Sequence, residues 1–309
     1  MGRNERDVLV LLSTHNGEAF IAEQLSSLQA QSAASRIQLL VRDDGSSDAT
    51  VSIIESLDLA PLAVSVQSGA NLGACASFAA LAKLAPDGFG TIMLCDQDDV
   101  WLPDKVAIAA RALAATEAAG PALYCGRSTI TDQALNPIGL TDDAPRGPSL
   151  RNALFQNIAP GHTMAFNQAL LTLFRDTIDS RALMHDWWLY LLATALGTVV
   201  FDPAPQANYR LHTANEVGYT TGPVQRLTSG LTRLFREDRS ALTRQAEALQ
   251  EQIGEALSPD QAALLAAFLD QASLRSRLAF LRRYPLVAQQ RRRPVVSTLL
   301  FLIGRYRSR

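Results

Sequence analysis

The apolar positions of the chain fall into two regimes. In the first half they form short, nearly continuous runs at residues 8–12, 37–41, 62–66 and 91–95, the pattern of strands buried on both faces. Between these runs apolar residues recur at helical spacing: Phe20, Ile21, Leu25 and Leu28, then Val51, Ile54 and Leu57 behind the cap candidates Ser47 and Asp48, then Phe78, Leu81 and Leu84. Strand and helix signals in alternation predict an α/β fold, a mostly parallel central sheet flanked by crossover helices.

The alternation continues past residue 100. Pro103 stands where a first helical turn would start, opening an Ala-rich stretch to residue 119, and residues 122–125 read as another strand. Residues 149–215 hold a helical or irregular piece, a strand at 163–166, a helix at 185–196 stopped by Gly197, and two strands ending near His212. After Gly222 the spacing is helical throughout. The expected organisation is one α/β domain over residues 1–221, with halves at about 7–105 and 106–221, and a helical C-terminal extension over 222–309.

At 309 residues and 48% hydrophobic content, the chain can bury a sizeable core, which excludes a disordered class. Cys75, Cys95 and Cys125 have neither metal-ligand nor paired spacing and read as reduced core residues of a cytosolic chain. The charged residues 1–7 and the brief apolar run behind them do not resemble a secretory signal.

The net charge of −2 conceals an uneven distribution: residues 1–221 carry thirteen basic side chains against twenty-three acidic ones, and residues 222–309 carry fifteen arginines against seven acids. After Asp270 all ten charged side chains are arginines. The apolar run 295–304, between Arg291, Arg292 and Arg293 and then Arg305, Arg307 and Arg309, is well short of the roughly twenty residues that cross a bilayer. It suits a membrane surface, a second copy of the chain, or the chain's own domain. The acidic neighbour expected for this end is a membrane and not a nucleic acid.

Four polar clusters follow strand signals, and ligands bind at the C-terminal edge of open parallel sheets. Arg42, Asp43, Asp44, Gly45, Ser46, Ser47 and Asp48 form a turn whose carboxylates can accept from a base N–H or ribose hydroxyls, or merely cap the next helix. Asp96, Gln97, Asp98 and Asp99 put carboxylates two apart on one side of extended backbone. Their mutual repulsion calls for a counter-charge, and a hard divalent ion such as Mg2+ or Mn2+ supplies one while retaining positions for phosphate oxygens; the alternative is a solvated acidic turn. Asp186, between His185 and the pair Trp187 and Trp188, sits in apolar surroundings that raise a carboxylate's basicity, or serves as a helix cap. His212 closes a strand after Tyr209, Arg210 and Leu211 and could complete a manganese-type site or be a satisfied histidine.

In chain order, Ser13, Thr14, His15, Asn16 and Gly17, then Asp43 to Asp48, then Asn71, Leu72 and Gly73, then Asp96 to Asp99 resemble the motifs of family-2 glycosyltransferases with the GT-A, Rossmann-like fold. Gly161, His162, Thr163 and Met164, with His185 to Trp188 and Tyr209 to His212, extend that resemblance. It implies inverting, metal-dependent transfer of a sugar from a nucleotide diphosphate donor, dTDP- or UDP-linked, to a hydroxyl of a glycan or lipid-linked glycan. By the same resemblance Thr14, Asn16, Asp43, Asp44, Asn71, Asp96 and Gln97 contact the nucleotide. Asp98, Asp99 and His212 hold Mn2+ or Mg2+, Asp186 is the general base, and Gly161, His162, His185 and Trp187 line the sugar pocket. The combined motifs are similar to those of bacterial rhamnosyltransferases of cell-surface polysaccharide synthesis. His162 departs from the small residue or Cys often found at its place, which leaves the sugar open.

Other classes fit less well. No G-x-G-x-x-G follows the first strand, as a dinucleotide-binding oxidoreductase requires. No Gly-rich basic loop near the start suits a nucleotidyltransferase. A non-catalytic sugar-nucleotide-binding protein on the same fold need not have kept Asp96, Asp98 and Asp186 together.

Overall fold

The structure, a computed structural model, describes residues 7–116, 120–212, 240–287, 289 and 293–307. The four early apolar runs are strands β1 (Val8–Thr14), β2 (Ile37–Asp43), β3 (Ala63–Ser68) and β4 (Thr91–Cys95), arranged in parallel in the order β3-β2-β1-β4. Side chains divide between the faces with the strand period of two. Leu9 and Leu11 join Phe78 and Leu81 of α3 (Ala74–Leu84), whereas Val8, Val10 and Leu12 join Ile21, Leu25 and Leu28 of α1 (Ile21–Gln29) and Ile54 of α2 (Thr50–Ser56). Helices on both faces leave no side of β1, β2 and β4 for water, which is why their sequences are almost continuously apolar; β3, expected to be buried as well, lies at the sheet edge and is half exposed.

The strand ends coincide. Thr14 pairs with Asp43, Asp43 with Ser68, and Leu12 with Cys95, so the polar residues after β1, β2 and β4 emerge at one edge of the sheet.

Beyond β4 come β5 (Val100–Trp101), α4 (Lys105–Ala114), β6 (Ala122–Thr131), β7 (Pro137–Leu140), α5 (Leu150–Ala153), β8 (Ala165–Phe166), α6 (Gln168–Thr177), α7 (His185–Leu196) and β9 (Thr198–Arg210). The full sheet runs β3-β2-β1-β4-β8-β6-β9-β5, with β7 on β6. The short β8 is antiparallel to both β4 and β6 and joins the parallel half to the rest. The expected strand at 163–166 is therefore shorter, because a 3-10 turn at Gly161–Thr163 takes its start.

The two strands expected before His212 are a single one. Pro203 and Pro205 lie inside β9, and the register against β6 shifts around Arg127, an irregularity that absorbs the donors proline lacks. Gly126 permits the crossing, since a Cβ there would lie 2.8 Å from the Asp202 carbonyl oxygen.

The expected boundary at 221–222 lies outside the described residues. The C-terminal helices α8 (Ser240–Ile253), α9 (Pro259–Leu269), α10 (Leu274–Arg283) and α11 (Arg293–Leu302) contribute Leu249, Phe268, Phe280 and Phe301 to the same buried cluster as Leu94 and Trp188. Cys95 and Cys125 are buried and none of the three cysteines is bridged. Among the described residues no helix is long and apolar enough to cross a membrane.

Candidate active site

The turn after β1 wraps around one glutamine. Gln97 Oε1 accepts from Thr14 Oγ1 at 2.6 Å and from the His15 amide at 2.8 Å, and its Nε2 donates to the His15 carbonyl at 3.0 Å. Asn16 sits at φ 47, a left-handed conformation that asparagine tolerates, and its Oδ1 accepts from the Ser47 amide at 2.8 Å. The Asn71 side-chain amide lies 3.1 Å from His15 Nε2. Thr14, Asn16, Asn71 and Gln97 thus come together around His15 at the sheet edge.

Asp43 and Asp44 are buried and occupied by the chain itself. Asp44 pairs with the Arg42 guanidinium and accepts from the amides of Leu72 and Gly73, each at 2.8 Å. Asp43 accepts from the Ser46 amide at 3.0 Å and its hydroxyl at 2.5 Å. Gly45, at φ 78, lets this turn close against the Asn71 amide, 3.0 Å from where a Cβ would stand.

The acidic turn after β4 is divided. Asp98 Oδ2 meets His212 Nε2 at 2.6 Å, and the His212 ring stacks on Phe20 at 4.7 Å. The pairing of β5 with β9, Val100 opposite Asn208, brings this distant histidine alongside. Asp99 is 1% exposed and turns the other way: its Oδ1 faces the Arg210 amide at 3.4 Å, and its Oδ2 has no hydrogen-bond partner and lies 3.9 Å from His162 Nδ1. The trio expected to ligate together, Asp98, Asp99 and His212, is therefore split into the Asp98–His212 pair and a second group of Asp96, Asp99 and His162, whose ligand atoms all lie within 4.8 Å of one another.

Sequence reasoning missed the cation in this turn. Lys105, 1% exposed at the start of α4, donates to the His162 carbonyl and stacks over the Trp101 ring at 3.8 Å. Burial draws its pKa down to about 8, opposed by the neighbouring Cys95, Asp99 and Asp96. Burial and the charges of Asp98 and Asp96 raise the Asp99 pKa well above the carboxylate range, with Lys105 opposing. The compensation assigned to a metal ion is thus supplied in part by the protein. The one sequence signal was a lysine two residues behind Pro103 on the inward side of an otherwise Ala-rich helix. Arg210 is the second cation missed, donating through Nε to the Asp98 carbonyl at 3.1 Å and pairing with Glu23.

Asp186 stands in the first turn of α7. It accepts from the Trp187 amide at 2.6 Å and from the Gly161 amide at 3.1 Å. Burial raises its pKa to about 6, against these two amides and the Asn157 side chain, which hold it down. The packing is tight here: a Cβ on Gly161 would lie 3.0 Å from His185 Nε2. His185 is buried on Phe78, ring centroids 4.1 Å apart, with neither ring nitrogen hydrogen-bonded. His162 gives one nitrogen to Ser128 at 2.8 Å, and its ring stacks on Tyr209. Burial lowers both histidines to a pKa of about 3, so they are neutral donors or ligands at physiological pH. Trp187 anchors the site through Nε1 to the Ala153 carbonyl at 2.6 Å.

A divalent cation fits this donor set. Carboxylate oxygens with neutral imidazoles suit Mn2+ or Mg2+, and the orphaned Asp99 Oδ2 is a buried acceptor awaiting a partner. Asp98 and His212 could reach such an ion from the solvent side, with Asp99 and His162 buried behind them and Asp96 partly exposed.

Known proteins resemble this chain both in sequence and in fold. Over 220 residues the chain is 30% identical to the dTDP-rhamnosyl transferase RfbG of Shigella flexneri, covering 67% of this chain and 73% of that one. Its fold is similar to that of residues 1–349 of S. aureus TarS solved with UDP-GlcNAc, with TM-score 0.60, 16% identity, and 97% of this chain and 89% of that chain covered. The same protein with UDP gives TM-score 0.58 at the same identity and coverage. Both are GT-A-like folds, as the sequence resemblance led one to expect. Residues 9–178, more than half of the chain, match the family described as Glycosyl transferase family 2, and the protein belongs to that family of glycosyltransferases.

Proposed function

We propose that this glycosyltransferase moves a sugar from a nucleotide diphosphate donor to a glycan or lipid-linked glycan hydroxyl, with inversion and with Mn2+ or Mg2+. The observation that carries the reading is the meeting of Asp98 with His212, 114 positions apart in sequence, at the sheet edge that also gathers Thr14, Asn16 and Gln97. In this reading those three and Asn71 hold the nucleoside, with Asp96 toward the ribose. Asp43 and Asp44 act by shaping the turn and presenting the Leu72 and Gly73 backbone to the base.

Asp98 and His212, backed by Asp99, would hold the ion; when bound, it neutralises charge on the departing diphosphate. Asp186 takes the proton of the acceptor hydroxyl. The acceptor oxygen forms its bond to the anomeric carbon as the bond to the phosphate oxygen breaks, and the nucleoside diphosphate leaves with that electron pair. A carboxylate raised to about 6 is basic enough to assist and still ionised at neutral pH. Gly161, His162, His185 and Trp187 line the sugar side, where the unpartnered His185 ring nitrogens offer hydrogen bonds to sugar hydroxyls. No covalent intermediate is needed.

The relative of known sugar preference, a dTDP-rhamnosyl transferase, supports dTDP-rhamnose as donor and a role in cell-surface polysaccharide synthesis in the cytoplasm. UDP-sugars are the competing donors. Residues 222–309 are read as a non-catalytic support.

The test is turnover of dTDP-rhamnose and of UDP-GlcNAc with an oligosaccharide acceptor in Mn2+, Mg2+ or chelator, with NMR of the new anomeric bond. Transfer from the dTDP donor, lost on chelation, with inverted configuration supports the reading. Retained configuration, or undiminished rate in chelator, overturns the mechanism, and preference for UDP-GlcNAc overturns the donor.

A further inference from the structure

The C-terminal helices bury one side and leave the other apolar. Phe280 of α10 and Phe301 of α11 face each other at 5.0 Å and pack with Phe155, Phe268 and Tyr306 in one aromatic cluster. The two helices run in opposite directions, since Arg277 donates to the Leu302 carbonyl at 3.0 Å and flanks Gly304 while Phe280 meets Phe301. On each helix an apolar pair four residues apart, hence on one face, lies opposite the buried ring: Leu274 and Leu278 on α10, Leu299 with Ile303 at the end of α11. These four are 54%, 37%, 60% and 60% exposed. Both helices aim their rings into the same cluster, so each apolar pair stands on the solvent side of its own helix.

That surface is positively charged. Arg275, Arg282, Arg283, Arg305 and Arg307 are exposed around it, and no acidic residue follows Asp270. We infer that this face docks on an anionic lipid surface, with the four apolar side chains entering the headgroup boundary and the arginines meeting lipid phosphates. Arginine suits this place because its stem covers apolar surface while its guanidinium pairs with phosphate. A second copy is disfavoured as the occupant, since it would bring arginines against arginines. The charge complement and the apolar area are both met by an anionic membrane. The inference stands on the C-terminal face and does not depend on the identity of the donor.

The test is sedimentation of the full-length protein with phosphatidylcholine vesicles and with vesicles of phosphatidylcholine and phosphatidylglycerol at roughly three to one. Binding to the anionic vesicles alone, weakened by added salt, is expected. Leu299→Ser with Ile303→Ser should reduce it about tenfold, with the melting temperature and the thermal shift given by dTDP unchanged. Arg282→Gln with Arg283→Gln should reduce binding and flatten its salt dependence. Absence of binding to anionic vesicles, or equal binding to neutral ones, overturns the inference. So does a dimer in light scattering that the Leu299→Ser and Ile303→Ser changes dissociate.

Discussion

Two acidic turns in this chain look alike in sequence and differ in what the fold does with them. The turn after β2 holds Asp43, Asp44 and Asp48, and that after β4 holds Asp96, Asp98 and Asp99. In the first, Arg42, two backbone amides and Ser46 occupy Asp44 and Asp43. In the second, Asp96 and Asp99 share one buried ammonium, Asp98 faces a histidine, and one oxygen of Asp99 has no hydrogen-bond partner. A carboxylate whose donors are all supplied by the chain stabilises the fold, whereas one left short is available to a ligand. The supply of donors, and not the number of acids, separates scaffold from site.

The comparison can be broken at its functional end first. Asp186→Asn is expected to lower kcat about a thousandfold while calorimetry with dTDP in Mn2+ shows unchanged affinity; equal rates for variant and parent would remove Asp186 as base. At the scaffold end, Asp44→Ala strands the buried Arg42 and should cost about 3–5 kcal/mol in urea unfolding. A loss under about 1 kcal/mol would show that Asp44 is not the clamp described.

Asp98→Asn should weaken metal-dependent dTDP binding at least about tenfold, with little change in stability. The sharpest contrast is Asp99→Asn, which removes a desolvated carboxyl repelled by its neighbours and should leave unfolding free energy within about 1 kcal/mol of the parent or raise it, opposite to Asp44→Ala.

The pH profile gives the mildest test. Asp186 has its pKa raised to about 6, so kcat should fall about tenfold per unit as pH drops below that value. The stability consequence has the opposite sign. A carboxyl raised on folding stabilises the protein below the ordinary carboxylate range, and that contribution is lost as pH rises through about 6. Asp186→Asn should therefore abolish the acidic limb of any residual rate and increase stability at neutral pH.

Much of the fold was legible. Thr91–Cys95 and His185–Leu196 have the bounds their apolar patterns predicted, because strand burial on two faces and a glycine stop are local signals. The motif residues also lie at strand ends, where a parallel sheet must place them. Lys105 was not legible, since a single lysine in an Ala-rich stretch reads as surface until the helix is docked. Nor was β9 as one strand, because two prolines signal a break unless a partner strand shifts register to receive them.

The sequence alone determined that parallel strands would bring their polar ends to one edge, since strand and helix periods are properties of neighbouring residues. The tertiary structure alone decided which carboxylates are supplied with donors and which are left short: the Leu72 and Gly73 amides meet Asp44 and His212 meets Asp98, while one oxygen of Asp99 has no hydrogen-bond partner. Those pairings depend on sheet register and helix docking between positions far apart in the chain, and on the low-dielectric surroundings that docking creates.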